Sequence, residues 1–122
     1  MESDIRAVNG NIYAIRLGVD TEATPLIMGD GRFLGEISLS PDGRWLAYNR
    51  GYEVWVRPFP DVNAGQWQIS TDGGTEPVWA HSGDRLFYNS GPALGRELVV
   101  ADIIVDPAFA LGQQRALFAV DS

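Results

Sequence analysis

The chain has no cysteine, which excludes disulfides, thiolate catalysis and cysteine metal sites together and is compatible with any redox compartment. With His81 as its single histidine, it cannot build a zinc site of the usual kind either. Lysine is also missing: all 9 basic residues are arginines, scattered from Arg6 to Arg115 in the manner of GC-rich coding bias and not gathered into a patch. A kinase needs a Gly-rich phosphate loop, its lysine and a catalytic-loop aspartate, and a serine hydrolase needs a Gly-x-Ser-x-Gly elbow; none occurs. Long apolar runs are absent as well. The longest, Leu98 to Val105, is interrupted by Asp102 and is far too short to span a bilayer. At the N-terminus Glu2, Asp4 and Arg6 stand where a signal peptide would need an apolar stretch. Localisation of the chain as written therefore defaults to the cytoplasm, and becomes extracytoplasmic if the chain belongs to a longer receptor.

What is present fits one modest domain: 122 residues, 45% of them hydrophobic, with 16 acidic side chains against 9 basic and a formal charge of −7. That charge argues against a phosphate-backbone partner, so no nucleic acid is expected. The most informative feature is a repeat. Ser40 to Tyr48 reads SPDGRWLAY and Ala80 to Tyr88 reads AHSGDRLFY, so a shift of 40 lays Gly43 on Gly83, Leu46 on Leu86, Tyr48 on Tyr88 and, upstream, Glu36 on Glu76. A period of this length built from short strands and Gly-rich turns marks radial or stacked β repeats.

Strand signals recur near residues 11–17, 24–28, 35–40, 44–49, 53–59, 66–70, 75–80, 85–90, 97–105 and 115–120, punctuated by Gly, Pro, Asn and Asp. No stretch carries a helical period, and the only rival, Ala108 to Val120, has Gly112 in its middle. Pro41 presets φ, Asp42 can bond its own downstream backbone and Gly43 accepts positive φ, so Ser-Pro-Asp-Gly predicts a hairpin connection. His81-Ser82-Gly83-Asp84 holds the same place with glycine kept and proline lost, which predicts the same bend with less preorganisation. Val54-Trp55-Val56 and Leu98-Val99-Val100-Ala101 are apolar on both faces, as in a sheet covered on both sides. A propeller blade, sandwiched between its neighbours, meets that description. Trp45, Trp55, Trp67 and Trp79 fall on four successive strands and are expected between blades.

Glu36-Ile37-Ser38-Leu39-Ser40-Pro41-Asp42-Gly43-Arg44-Trp45-Leu46-Ala47-Tyr48, with Gly73-Gly74-Thr75-Glu76-Pro77-Val78-Trp79, resembles the bacterial TolB-type, WD-repeat-like β-propeller over nearly the whole chain. Tyr52 through Phe87, and a tail with Gly112, Arg115, Leu117 and Phe118, is also similar to C-terminal propeller regions of bacterial serine/threonine kinase-like proteins. The resemblance implies an all-β fold of antiparallel four-stranded blades: a half blade over 11–28, a blade over 35–70 and a blade over 75–120, about two and a half in all. Propellers close with about four to eight blades, so the expectation is a partial propeller completed by further blades in cis, by self-association or by a partner.

Candidate chemistry is sparse. His81 and Ser82 read as surface turn residues, and Ser40 as a turn serine with no base beside it. Asp30-Gly31, Asp42-Gly43 and Asp72-Gly73-Gly74 are spaced like turns and lack the dense ligand run of a calcium loop. Glu36 and Glu76 occupy equivalent repeat positions; they either share an axial channel, where like charges raise a pKa or hold a cation, or each begins an innermost strand and meets solvent at the rim, which is the expectation adopted. We assign no catalytic, cofactor-binding or metal-ligating residue. Pro41, Asp42, Gly43 and Gly83 are expected to shape turns, and Leu46, Tyr48, Leu86 and Tyr88 to pack. The expected function is a non-catalytic scaffold for a protein or peptide, without membrane insertion, and the alternative is the sensor or gating propeller of a larger kinase-like receptor or peptidase.

Overall fold

The computed structural model describes residues 3–29, 31–91 and 96–120. Asp30, one of the turn aspartates considered above, lies outside them. The described residues form eleven strands and no helix: β1 (Ser3–Val8), β2 (Asn11–Arg16), β3 (Thr24–Ile27), β4 (Leu34–Leu39), β5 (Trp45–Arg50), β6 (Glu53–Pro58), β7 (Trp67–Gln68), β8 (Thr75–Trp79), β9 (Arg85–Ser90), β10 (Arg96–Ile104) and β11 (Ala110–Val120). They pair as three antiparallel meanders, β1-β2-β3, then β4-β5-β6-β7, then β8-β9-β10-β11. This is an all-β stack of blades, with the second and third sheets four-stranded.

The turns explain the meander. The Gly43 N–H donates to the Ser40 carbonyl at 2.8 Å, and the Ser40 N–H to the Trp45 carbonyl at 2.8 Å. The histidine-bearing turn repeats both bonds, Gly83 to Ala80 at 2.9 Å and Ala80 to Arg85 at 3.0 Å, although it has no proline. What the two turns share is the glycine, at φ 74° and 78°, a conformation that costs an L side chain roughly 1–2 kcal/mol.

Two cores lie between the three sheets. Strand alternation sends Leu46 and Tyr48 of β5 toward the first sheet, where they are fully buried with Ile12, Ile27, Leu34 and Val62. The alternate residue Ala47, with Val54, Val56 and Ile69, turns toward the third sheet and meets Trp79, Leu86, Tyr88, Val99, Ala101, Ile103 and Phe109. The middle sheet is thus covered on both faces, which is why its strands read as continuous apolar runs. The tryptophans sit where the sheets meet: Trp45 and Trp67 pack edge-on, with centroids 5.8 Å apart, and both lie against Phe109, while Trp55 belongs to the other interface.

The first sheet holds a strand that the sequence reading did not include. In β1, Asp4 and Arg6 pair with Ile15 and Tyr13 of β2 and face away from the second sheet, joined to each other at 3.0 Å. Their charges erase the apolar signal of the segment. β11 likewise begins at Ala110, ahead of the expected 115, with register shifts against β10 at Leu98/Val99 and Ala101/Ile103 that a two-residue periodicity cannot follow.

Candidate functional site

Glu36 and Glu76 begin the chemistry of the site. Each lies on the first strand of its sheet, and each has a left-handed backbone, φ 50° and 56°, inside a register shift between Gly35 and Ser38 or between Thr75 and Val78. Both side chains are exposed. The Glu36 carboxyl is nevertheless held above the ordinary carboxylate range, first because the surrounding strands strip water from it and second because the Glu76 charge is near, while the Glu76 backbone N–H, hydrogen-bonded to it, pulls the other way. The two repeat-related glutamates therefore meet solvent and also feel each other. Among the described residues no cluster of three or more His, Asp or Glu is arranged to hold a metal.

Beside Glu36 opens a groove of ≈ 730 Å³, lined by Arg32, Phe33, Arg50, Tyr52, Glu53 and Thr75 among others. Its aromatic wall follows from local constraints. The Gly51 N–H donates to the Phe33 carbonyl at 2.7 Å, tying the β5–β6 hairpin to the segment before β4. The Phe33 ring lies over Gly35, so close that a Cβ there would stand 2.7 Å from the ring. Phe33 remains 57% exposed and Tyr52, at the hairpin tip, 84% exposed. Two open aromatic rings thus stand beside Arg32, Arg50, Glu36 and Glu53, so that exposed apolar surface adjoins charges of both signs.

The floor behind this groove is fixed by a polar network that the sequence reading missed. Ser70 Oγ–H donates to Glu53 at 2.5 Å, the Gly73 N–H donates to the same carboxylate oxygen at 3.0 Å, and Ser70 Oγ accepts from the Val54 N–H at 2.8 Å. The fully buried Asn49 donates from Nδ2 to the Gly74 carbonyl at 2.7 Å, crossing from the second sheet to the start of the third. Gly74 is required there because a Cβ would stand 2.5 Å from Ser70 Oγ. The available signal was the repeat itself, which lays Asn49 on Asn89 directly after the two tyrosines.

At the opposite end of the strands, the Ser-Pro-Asp-Gly turn borders two further clefts, ≈ 830 Å³ between the first and second sheets and ≈ 400 Å³ between the second and third. The smaller one gathers His81, Ser82 and Asp84, the residue types of a nucleophilic relay. Their geometry is that of a turn. Ser82 Oγ–H donates to Asp84, and Ser40 Oγ–H to Asp42 at 2.7 Å, so both hydroxyls are committed to carboxylates in their own turns and neither to an imidazole. Asp42 also accepts the Arg44 N–H at 3.0 Å, and these bonds, the serine's foremost, lower its pKa.

No protein-family model matches the chain. No curated protein matches it. Among solved structures it is similar to a protein assigned as TolB from Agrobacterium tumefaciens, with a TM-score of 0.71 and 22% identity over 91% of this chain and 42% of that one. The chain thus spans less than half the length of that protein. The likeness is one of fold: three antiparallel sheets stacked as a partial TolB-like β-propeller.

Proposed function

We propose that this chain is a non-catalytic β-propeller scaffold that binds a protein or peptide partner and works as part of a larger propeller. The observation that carries the binding role is the groove at the β5–β6 hairpin, where Phe33 and Tyr52 stand open beside Glu36, Glu53, Arg32 and Arg50. Rigid aromatics lose little conformational entropy on binding, and Tyr52 gains most from being covered. Membership of a larger propeller is supported by the last sheet. Its outer face bears Val78 and Phe87 where a following blade would pack, and Asn89 takes the repeat place of the Asn49 latch.

The test titrates a labelled library of extended peptides, basic, acidic and neutral, against the purified chain and against Tyr52→Ala. Saturable binding that weakens by about ten-fold or more in the variant, with its melting temperature unchanged, is the expected result for a hot-spot aromatic. Turnover of peptide, ester or nucleotide substrates by the chain, or no peptide binding at all, overturns the reading. A second reading makes this the propeller portion of a serine/threonine kinase-like receptor or peptidase. It draws on the resemblance of Tyr52 through Phe87, and a kinase catalytic loop or hydrolase elbow encoded in the same reading frame is the observation that would favour it.

A further inference from the structure

The two interfaces between the sheets are built on one register and are filled differently. The hairpins align the strands, because Val8 and Asn11 flank Asn9-Gly10 as Arg50 and Glu53 flank Gly51-Tyr52. Counting along the strands puts Ser3 and Ala14 of the first sheet at the places of Trp45 and Val56 in the second. Thr24 then pairs with Ala14 as Trp67 pairs with Val56, and Leu39 pairs with Leu46 as Trp79 pairs with Leu86. Burial agrees with this alignment: Ile12 and Val54 hold equivalent places, and both are fully buried.

Between the second and third sheets the space is plugged by rings. Phe109, from the β10–β11 connection, lies 4.9 and 4.3 Å from the centroids of Trp45 and Trp67, and Trp79 is buried with its indole N–H donating to the Ser38 carbonyl at 3.0 Å. Between the first and second sheets, serine, threonine and leucine stand where those three tryptophans stand, and alanine replaces the valine. The ≈ 830 Å³ cleft is the consequence. Ala14, Thr24 and Leu26 line one wall, and Leu39, Phe59 and Pro60 the other. The space therefore comes from small side chains at places where the next interface has large ones, and its volume is that of a small-molecule site.

The rim carries charge. Arg16 donates to Asp20 from Nε at 3.2 Å, from Nη2 at 2.9 Å and from its backbone N–H at 2.8 Å, so these two charges are spent on each other. Among the described residues lining the cleft, Arg16 is the one cation. Asp42 accepts Ser40 Oγ–H and the Arg44 N–H at the same oxygen, Oδ1, and these bonds, the serine's foremost, keep its carboxyl ionised at neutral pH. The cleft is thus apolar within and has at its mouth one carboxylate that no lining cation neutralises.

We propose that this cleft binds a small aromatic amine, its ring seated beside Thr24 and Phe59, where the neighbouring interface keeps its tryptophans, and its ammonium group at Asp42. A ring of indole size replaces the missing Trp67 and gains aromatic contact with Phe59. The site lies at the opposite end of the strands from the Tyr52 groove, and the proposal goes beyond the binding role assigned there.

The probe is tryptamine, titrated into the isotope-labelled chain and followed by amide chemical shifts, with indole as its neutral counterpart and indolepropionate as its acidic one. Saturable shifts are expected at Ala14, Thr24 and Gly43, with tryptamine bound about three-fold or more tighter than indolepropionate. Thr24→Trp restores the plug from within the chain; it is expected to weaken tryptamine about ten-fold or more without lowering the melting temperature. Asp42→Asn keeps Oδ1 for the turn and removes the charge, so tryptamine is expected to weaken by about two- to five-fold and indole to be unaffected. Should Thr24→Trp unfold, Ala14→Val, which copies the residue of the second sheet, narrows the same cleft and decides by its loss of tryptamine affinity. Absence of saturable shifts, shifts centred on Trp67 and Phe109 or on Val78, indolepropionate bound as tightly as tryptamine, or undiminished binding to the folded Thr24→Trp variant each overturns the proposal. So does a Trp-Gly-Gly amide that binds about ten-fold tighter than tryptamine, which would make a peptide N-terminus the occupant.

Discussion

Asn49 and Glu36 are the residues whose behaviour depends most on where the chain has carried them. Asn49 Oδ1 is buried and has no hydrogen-bond partner, while its Nδ2 latches the second sheet to Gly74 of the third. Asn49→Ala removes the latch and leaves the Gly74 carbonyl unsatisfied, but it also removes the unpaired Oδ1. A net loss of about 1–2 kcal/mol in urea unfolding is expected, at the lower end for a buried bond. For Glu36, the raised pKa means the folded state holds its proton more tightly than the unfolded chain. Stability from this group is fully present below the unfolded carboxyl pKa and is lost as pH rises through the higher folded value. Glu36→Gln keeps an acceptor for the Glu76 N–H and cannot ionise, so the variant is expected to be the more stable protein at neutral pH and to lose the fall in urea midpoint above the ordinary carboxylate range. Gly43 and Gly83 were legible as turn formers because their positive φ is a local matter. The equally left-handed Glu36 and Glu76 were not, since glutamate does not signal such a conformation and the register shift around it is imposed by the neighbouring strand.

Strands carry their information as alternation, and each departure from expectation at this scale has a physical cause. β5 and β6 were readable because both faces are buried and both are apolar. β1 was not, because one face is turned to solvent and bears Asp4 and Arg6. β11 was read short because register shifts break its period. The same division of faces makes a prediction about coupling. Ile12 is fully buried in the core between the first and second sheets, and the core between the second and third contains no residue of β1–β3. Ile12→Ala is expected to cost about 2–5 kcal/mol through lost contacts and the cavity left behind. Sheets that touch only their neighbours respond locally. Hydrogen exchange should accelerate across β1–β3 and remain near wild-type rates in β9 and β10; uniform acceleration would mean that the three sheets open as one unit.

At the scale of the whole molecule, the middle sheet is covered twice and the outer two once each, so apolar surface is left at the ends of the stack. Val78, paired with Phe87 on the face of the third sheet that turns away from the core, is 58% exposed. The native chain is expected to bind anilinonaphthalene sulfonate there well below its unfolding temperature. Val78→Asp should reduce that fluorescence with a stability change of no more than ~0.5 kcal/mol, as for other exposed positions. Turn chemistry, two-faced apolar strands and the 40-residue shift of Gly43 onto Gly83 are properties of a few adjacent residues, and from them the sequence by itself determined an all-β stack of blades. The tertiary structure alone decided that Asn49 reaches Gly74, that Glu36 feels Glu76, and that Phe33 and Tyr52 share a groove. Each of these joins residues from different strands or sheets. Their juxtaposition depends on strand register and on which face meets which neighbour, and no local pattern of side chains encodes either.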